Sequence, residues 1–234
     1  MKFLPNRITD LNTWFKYAPP MGGEVQWEDG RSAKELAKYI TNALPSVPSE
    51  VEDVLSKFVN EDATLEFDAE YVTSFAAYGL GRGNGRNHDA IIYNDEIFVG
   101  VEGKADESFG NDRVGEAYEK GSNNKKLRIE GMVDIVFGDG VDNHPNTRYQ
   151  LLTASAATLL EAKERGVKNA IFLILVFKKE GKYSQKRIDK NNADVENFLK
   201  ETKAERHDGI WQVPTAFGKK NDVNLYFKKI EIEV

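Results

Sequence analysis

The stretch "KNAIFLILVF" (168 to 177) decides what this chain can fold into. From Ala170 to Phe177 every residue is apolar, so a strand here would be hydrophobic on both faces. Such a strand is stable only in the middle of a sheet that is covered on two sides. Eight apolar residues are too few to cross a bilayer. The stretch before it, "RYQLLTASAATLLEAKERG" (148 to 166), has helical periodicity and ends at Gly166, with Lys163 and Arg165 in the last turn. Its small residues Ala154, Ala156 and Ala157 suit a helix that lies close on a sheet.

The other segments complete an α/β pattern. Ser32 with Glu35, and Ser49 with Glu52, have capping-box spacing before apolar helical runs, and Pro45 stops the first of these. "TLEFDAEY" (64 to 71) alternates as a half-buried strand does, and "GLGRGNGRNH" (79 to 88) must be a loop, because glycines so dense cannot hold an element. Helices are expected around "NDRVGEAYEKG", "KKLRIEGMVDIVFG" and "NNADVENFLKETK". In the last segment the apolar residues change parity at Lys228–Lys229, which predicts a β-bulge or a break between two strands. The expected architecture is a single α/β domain over 1–234, a central mixed sheet flanked by helices on both faces. It divides into an N-terminal helical part (1–63), a core (64–178) and a C-terminal helix with strands (179–234).

Composition removes several chemistries. There is no Cys, which excludes disulfides, thiolate metal sites and Cys nucleophiles. His88, His144 and His207 lack the spacing of a helical zinc pair. "GLGRGNG" has neither G-x-G-x-x-G spacing nor the Lys-Ser/Thr of a P-loop, and there is no G-x-S-x-G elbow. Trp14, Trp27 and Trp211 are read as packing residues. The start "MKFLPNRITD" is too weakly apolar for a signal peptide, so the expected location is the cytoplasm, with no membrane association. A net charge of −6 counts against a nucleic-acid binder. Against that, "KKEGKYSQKRIDK" (178 to 190) carries six basic residues and two acidic, either a solvated loop or a phosphate-contacting arm.

The hairpin "DAIIYNDEIFVGVEGKADE" (89 to 107) carries the chemistry. Alternation puts Glu102 and Lys104 on one strand face with Phe98 and Gly100. A two-residue turn at Asn94–Asp95 would set Asp89 opposite Gly100, diagonal to Glu102 and within reach of a shared ion, with open space at the glycine. A four-residue loop is expected to leave the same register, while a three-residue loop turns Asp89 away. Two carboxylates and an ammonium so gathered suit Mg²⁺ bound to substrate phosphate. The competing reading of the same spacing is a surface ion-pair lattice on a solvated strand face, worth little.

"HDAIIYNDEIFVGVEGKADESFG" resembles the core of the PD-(D/E)XK nuclease superfamily, in which Asp and Glu-x-Lys lie on adjacent strands of a hairpin. "VEGKADESFG", "KKLRIEGM", "QWEDGRSAKELAKY" and the helix-to-strand stretch 148 to 177 resemble an uncharacterised bacterial family assigned to that superfamily, over roughly residues 10 to 178. The resemblance implies a restriction-endonuclease-like core and Mg²⁺- or Mn²⁺-dependent hydrolysis of phosphodiester bonds, in DNA rather than RNA. It implies Asp89 and Glu102 as metal ligands, with Glu70 added upstream and Glu66 in reserve, and Lys104 as the catalytic lysine. Gln150 and Arg148 fit the Gln or Arg that faces such sites from the following helix. Glu107 would add negative charge, and Arg82 and Arg86 in the loop before Asp89 would grip a phosphate. The Pro expected before the first Asp is His88 here. Many nucleases of the superfamily act as dimers, so a homodimer is a further expectation. The rival reading is a non-catalytic nucleic-acid or protein interaction module that retains the nuclease fold.

Overall fold

The computed structural model describes residues 1–179, 181 and 183–234. The strands are β1 (Lys2–Phe3), β2 (Thr64–Thr73), β3 (Arg86–Tyr93), β4 (Ile97–Lys104), β5 (Asn169–Lys178), β6 (Glu205–His207), β7 (Ile210–Val213) and β8 (Asn224–Glu233). The helices are α1 (Leu11–Tyr17), α2 (Ser32–Ala43), α3 (Ser49–Leu55), α4 (Val114–Glu119), α5 (Asn123–Val136), α6 (Tyr149–Glu164), α7 (Gln185–Glu201) and α8 (Ala216–Asn221). All eight strands form one sheet in the order β1-β2-β3-β4-β5-β8-β7-β6. β5 lies at its centre, parallel to β4 on one side and to β8 on the other, as its two-faced apolar sequence requires.

Helices cover both faces. On one side, Leu36, Ala37 and Ile40 of α2 and Val51, Val54 and Leu55 of α3 pack on Val99, Val101, Ile171 and Leu173. On the other, α4 to α7 enclose Phe98, Phe172, Ile174 and Phe227. The alanines of α6 are fully buried there, as their size predicts. Its approach also explains Gly100. A methyl group at that position would lie 2.5 Å from the Thr158 hydroxyl oxygen and 2.8 Å from the His88 ring.

Several local expectations are corrected. Ser32 is the first residue of α2 and makes no cap; Glu35 instead accepts from the Gly30 amide at 2.5 Å. Ser49 likewise follows Pro48 into α3, and its hydroxyl bonds to Glu50. The N-terminal part is not wholly helical, since Phe3 and Leu4 donate to Pro45 and Leu65 and add β1 beside β2. Residues 185–190 of the basic stretch are the first turns of α7, and Lys178 ends β5 paired with Glu231; Glu180 and Lys182 lie outside the described residues.

The parity change at Lys228–Lys229 is neither bulge nor break. β8 pairs with β5 residue for residue from Asn224 to Glu233. Leu225 and Phe227 face the α6 side, while Ile230 and Ile232 face the α2 side. The apolar pattern shifts because the covered face changes along an unbroken strand.

The tight fit at Gly100 gives a direct test. Gly100→Ala is expected to destabilise the protein by about 1–3 kcal/mol through overpacking against α6, read as a lower urea midpoint with an unchanged m-value.

Candidate active site

β3 and β4 pair antiparallel from Tyr93↔Phe98 to Ala90↔Val101. The turn is therefore a four-residue one, and Ile91, not Asp89, sits opposite Gly100. The face expected for Asp89 survives, but its neighbour changes: one step past the last pair, Asp89 falls across from Glu102. The space at Gly100 is not open either, being filled by Thr158 and His88.

Past Val101 the strands part, and a side chain replaces the backbone ladder. The amide of Gly103 donates to Asp89 Oδ2 at 2.8 Å. On the other flank of β3, Glu70 lies between the pairs Ala69↔Ala90 and Tyr71↔His88 with φ of 52°, left-handed for a residue with a β-carbon. Ala69 and Ala90 face the α2 side. Beyond the kink, Tyr71 packs on the α6 side and His88 lies edge-on to Phe98. The two strands thus exchange faces here, and the carboxyl groups of Glu70 and Asp89 are left to line a cleft at the sheet's end.

Glu102 is at the centre of this cleft and only 2% exposed, with Lys104 at 7%. Such burial rules out the surface-lattice reading, because Glu and Lys are buried this far only when paired. Lys104 Nζ lies 2.7 Å from Glu102 Oε1, Gln150 Nε2 donates to the same oxygen at 2.5 Å, and Arg86 holds Oε2. Lys104 also lies over the Phe109 ring, 5.5 Å from its centroid.

Burial alone would raise the pKa of Glu102, but Arg86 and Lys104 outweigh it and hold the carboxylate below its ordinary value. Burial works against the Lys104 ammonium too, yet Glu102 and Asp89 raise its pKa. Among the described residues Asp89 has no ion pair of its own. Burial first, then the Glu102 charge, push it up to about 8 against the pull of Lys104 and Arg86. Burial also raises Glu70, opposed by the amide of Asn87. His88, in the place of the expected Pro, is pushed down to about 3 by burial and Arg86, and is a neutral packing residue.

The cleft has a volume of about 340 Å³ and brings together Glu70, Arg86, Asp89, Glu102, Lys104 and Gln150. Gln150 Oε1, Asn87 Oδ1 and Arg86 Nε are buried with no hydrogen-bond partner among the described residues, a combination that favours a polar ligand. Two carboxylates with amide oxygens nearby are a donor set for a hard divalent cation. Among the described residues no three His, Asp or Glu side chains are gathered closely enough to hold an ion. Asp89 and Glu102 are the two of these acids nearest the hairpin's parted end.

Other expected residues lie outside the cleft or are engaged by partners within the chain. Arg148 is a buried structural bridge: its Nε donates to Asp194 at 2.7 Å and its NH1 to the Asn111 carbonyl, tying the start of α6 to α7. Glu66 accepts from Tyr93 on an exposed strand face. Arg82 is exposed at the tip of the glycine loop, outside the cleft. Arg86 is in the cleft, but it grips Glu102. Glu107 lines the cleft and there also receives the Ser32 and Ala105 amides. Spacing gave no sign of Asn87, which holds Glu70, or of Met21, Gln26 and Arg31, which wall the cleft from before α2. Those contacts exist only after folding.

The chain belongs to a family described as a domain of unknown function, DUF6946, whose model matches residues 7–234. No curated protein and no solved structure matches it. No helix among the described residues is long and apolar enough to cross a membrane.

Asp89 gives a pH signature. Its folded pKa of about 8 lies above the unfolded value of about 3.9, so its contribution is complete below pH 4 and lost as pH rises through 8. Asp89→Asn stays neutral, and in EDTA its stability advantage over the parent should grow between pH 5 and pH 9 to the order of 2–5 kcal/mol. Denaturant melts across that range measure it; an advantage that shrinks with pH would overturn the assignment.

Proposed function

We propose that this member of the DUF6946 family is a metal-dependent phosphodiesterase of PD-(D/E)XK type, a cytoplasmic nuclease that uses Mg²⁺ or Mn²⁺ and acts on DNA. The observation that carries the reading is the convergence of Asp89, Glu102, Lys104 and Gln150 on one cleft, from two parted strands and the first turn of α6. Reactive groups of this kind are costly to bury, and an ion-pair lattice on a solvated strand would not enclose them.

A divalent cation at Asp89 and Glu102 would lower the pKa of a bound water and neutralise charge on the phosphate. The chain's own residues do the rest. Gln150 fixes the Glu102 carboxylate from α6, and the Gly103 amide fixes Asp89 from β4. Lys104, kept charged by both acids, is placed to stabilise the negative charge that develops on the phosphoryl oxygens. Arg86 balances Glu102 in the free protein and lines the cleft that an arriving phosphate would enter.

One observation favours a second reading. Each oxygen of Glu102 already has a cation, Arg86 on one and Lys104 on the other, so the free protein neutralises the carboxylate without any metal. A non-catalytic binding module that keeps the fold accounts for this. Calorimetric titration with Mn²⁺ separates the two, since the module predicts no binding that Asp89→Asn abolishes.

The enzymatic reading predicts cleavage of plasmid, linear or single-stranded DNA only when Mg²⁺ or Mn²⁺ is present. Lys104→Ala and Glu102→Gln should each lower the rate by about 100-fold or more. Cleavage that is unchanged in both variants would refute the assignment.

A further inference from the structure

The acid–lysine cleft opens into a second, larger groove of about 570 Å³, and the two share Met21, Arg86, Asn87, Lys104 and Gln150. Beyond these shared residues the groove is walled by Tyr149, Phe75 and Arg128. Tyr149 immediately precedes Gln150, so the ring and the amide that holds Glu102 rise from the same turn of α6. The Tyr149 ring is half-buried, with Lys125 Nζ 5.4 Å from its centroid, and its backbone amide is tied to the Asp112 carbonyl.

The groove is cationic as well as aromatic. Arg128 lies over the Phe75 ring, 5.9 Å from its centroid, and bonds the carbonyls of Asn84 and Arg82, while its buried Nε has no partner among the described residues. Asn124 takes the Arg82 amide at 2.8 Å, so the glycine loop is fastened to α5 along this edge. Asn84 and Gly85 of that loop line the groove. Arg86, Arg128 and Lys104 thus face the same space as an aromatic platform, on a protein whose net charge is −6.

We propose that this groove is a nucleotide subsite: it seats one unpaired base of a DNA strand on Tyr149, with the flanking phosphates at Arg86 and Arg128 and the scissile one in the acid–lysine cleft. An aromatic side chain binds any base through its face, and nearby cations track the backbone. The bases of an intact duplex are stacked inside it and out of reach of such a platform, whereas a single strand offers its unstacked bases to an aromatic face. The inference rests on the nuclease reading for its scissile phosphate, but the binding it describes does not depend on cleavage.

The test is fluorescence anisotropy in EDTA, with a labelled oligothymidylate of roughly 12 nucleotides and a blunt duplex of the same length. The single strand should bind at least about tenfold more tightly than the duplex. Tyr149→Ala and Tyr149→Leu should each weaken it roughly tenfold, while Tyr149→Trp keeps the affinity. Leucine retains packing volume without a π face, and a thermal melt of each variant confirms folding. Duplex binding as tight as single-strand binding, or a Tyr149→Leu variant that is folded and unimpaired, overturns the subsite. Lys104-dependent cleavage confined to duplex would also overturn it and leave the nuclease reading standing. Tyr149-dependent single-strand binding without cleavage would uphold the subsite and remove the nuclease.

Discussion

The cleft depends on keeping one carboxylate ionised inside protein. Glu102 is almost wholly removed from water, and an isolated charge there would be untenable. Three elements answer that cost: Arg86 from the start of β3, Lys104 from two residues along β4, and Gln150 from the first turn of α6. The first turn of α6 and the end of β4 are therefore bound to each other through chemistry as well as packing. The same arrangement leaves Asp89 as the unbalanced acid, and its raised pKa follows from a carboxyl that shares the cations of its neighbour.

The sheet supplies the rigidity this needs. β4 is buried along its whole length and β5 lies against it in parallel register through Lys104↔Val176, so the segment that carries Glu102 and Lys104 cannot fray. Only β3 departs from β4, and it does so at the reactive end. The kink at Glu70 of β2, a strained conformation for a residue with a β-carbon, stands directly across from Asp89 of β3. Strain of this sort persists when the surroundings over-determine it. Here the surroundings are the paired strands on both sides of the kink.

Much of this was legible in the sequence, for definable reasons. The central position of β5 follows from an apolar run with no polar face, and the closeness of α6 from its alanines. The shared cleft of Asp89, Glu102 and Lys104 follows from alternation, which survives any hairpin loop of even length. What could not be read was set by partners distant along the chain. Arg148 and Gln150 stand two apart across the start of α6, and nothing local says that Asp194 of α7 claims the first and Glu102 the second. Arg86 sits in a loop-like stretch that suggests phosphate, and only the parting of the strands brings it to Glu102. The register departs from that of a two-residue turn because Asn94 accepts the amides of Glu96 and Ile97, an Asx-type closure that widens the turn. In β8 the switch of apolar parity was visible, but which layer covers each half of a strand is a property of the whole fold.

The bond from Gly103 to Asp89 has a consequence of its own. A carboxyl group can accept this amide whether or not it carries a proton, because the proton resides on the other oxygen. Neutral and ionised Asp89 are therefore held at one place by one tether, rooted in the main chain between Glu102 and Lys104. Acidity can therefore alter the charge on the wall of the cleft without loosening the carboxyl from its tether.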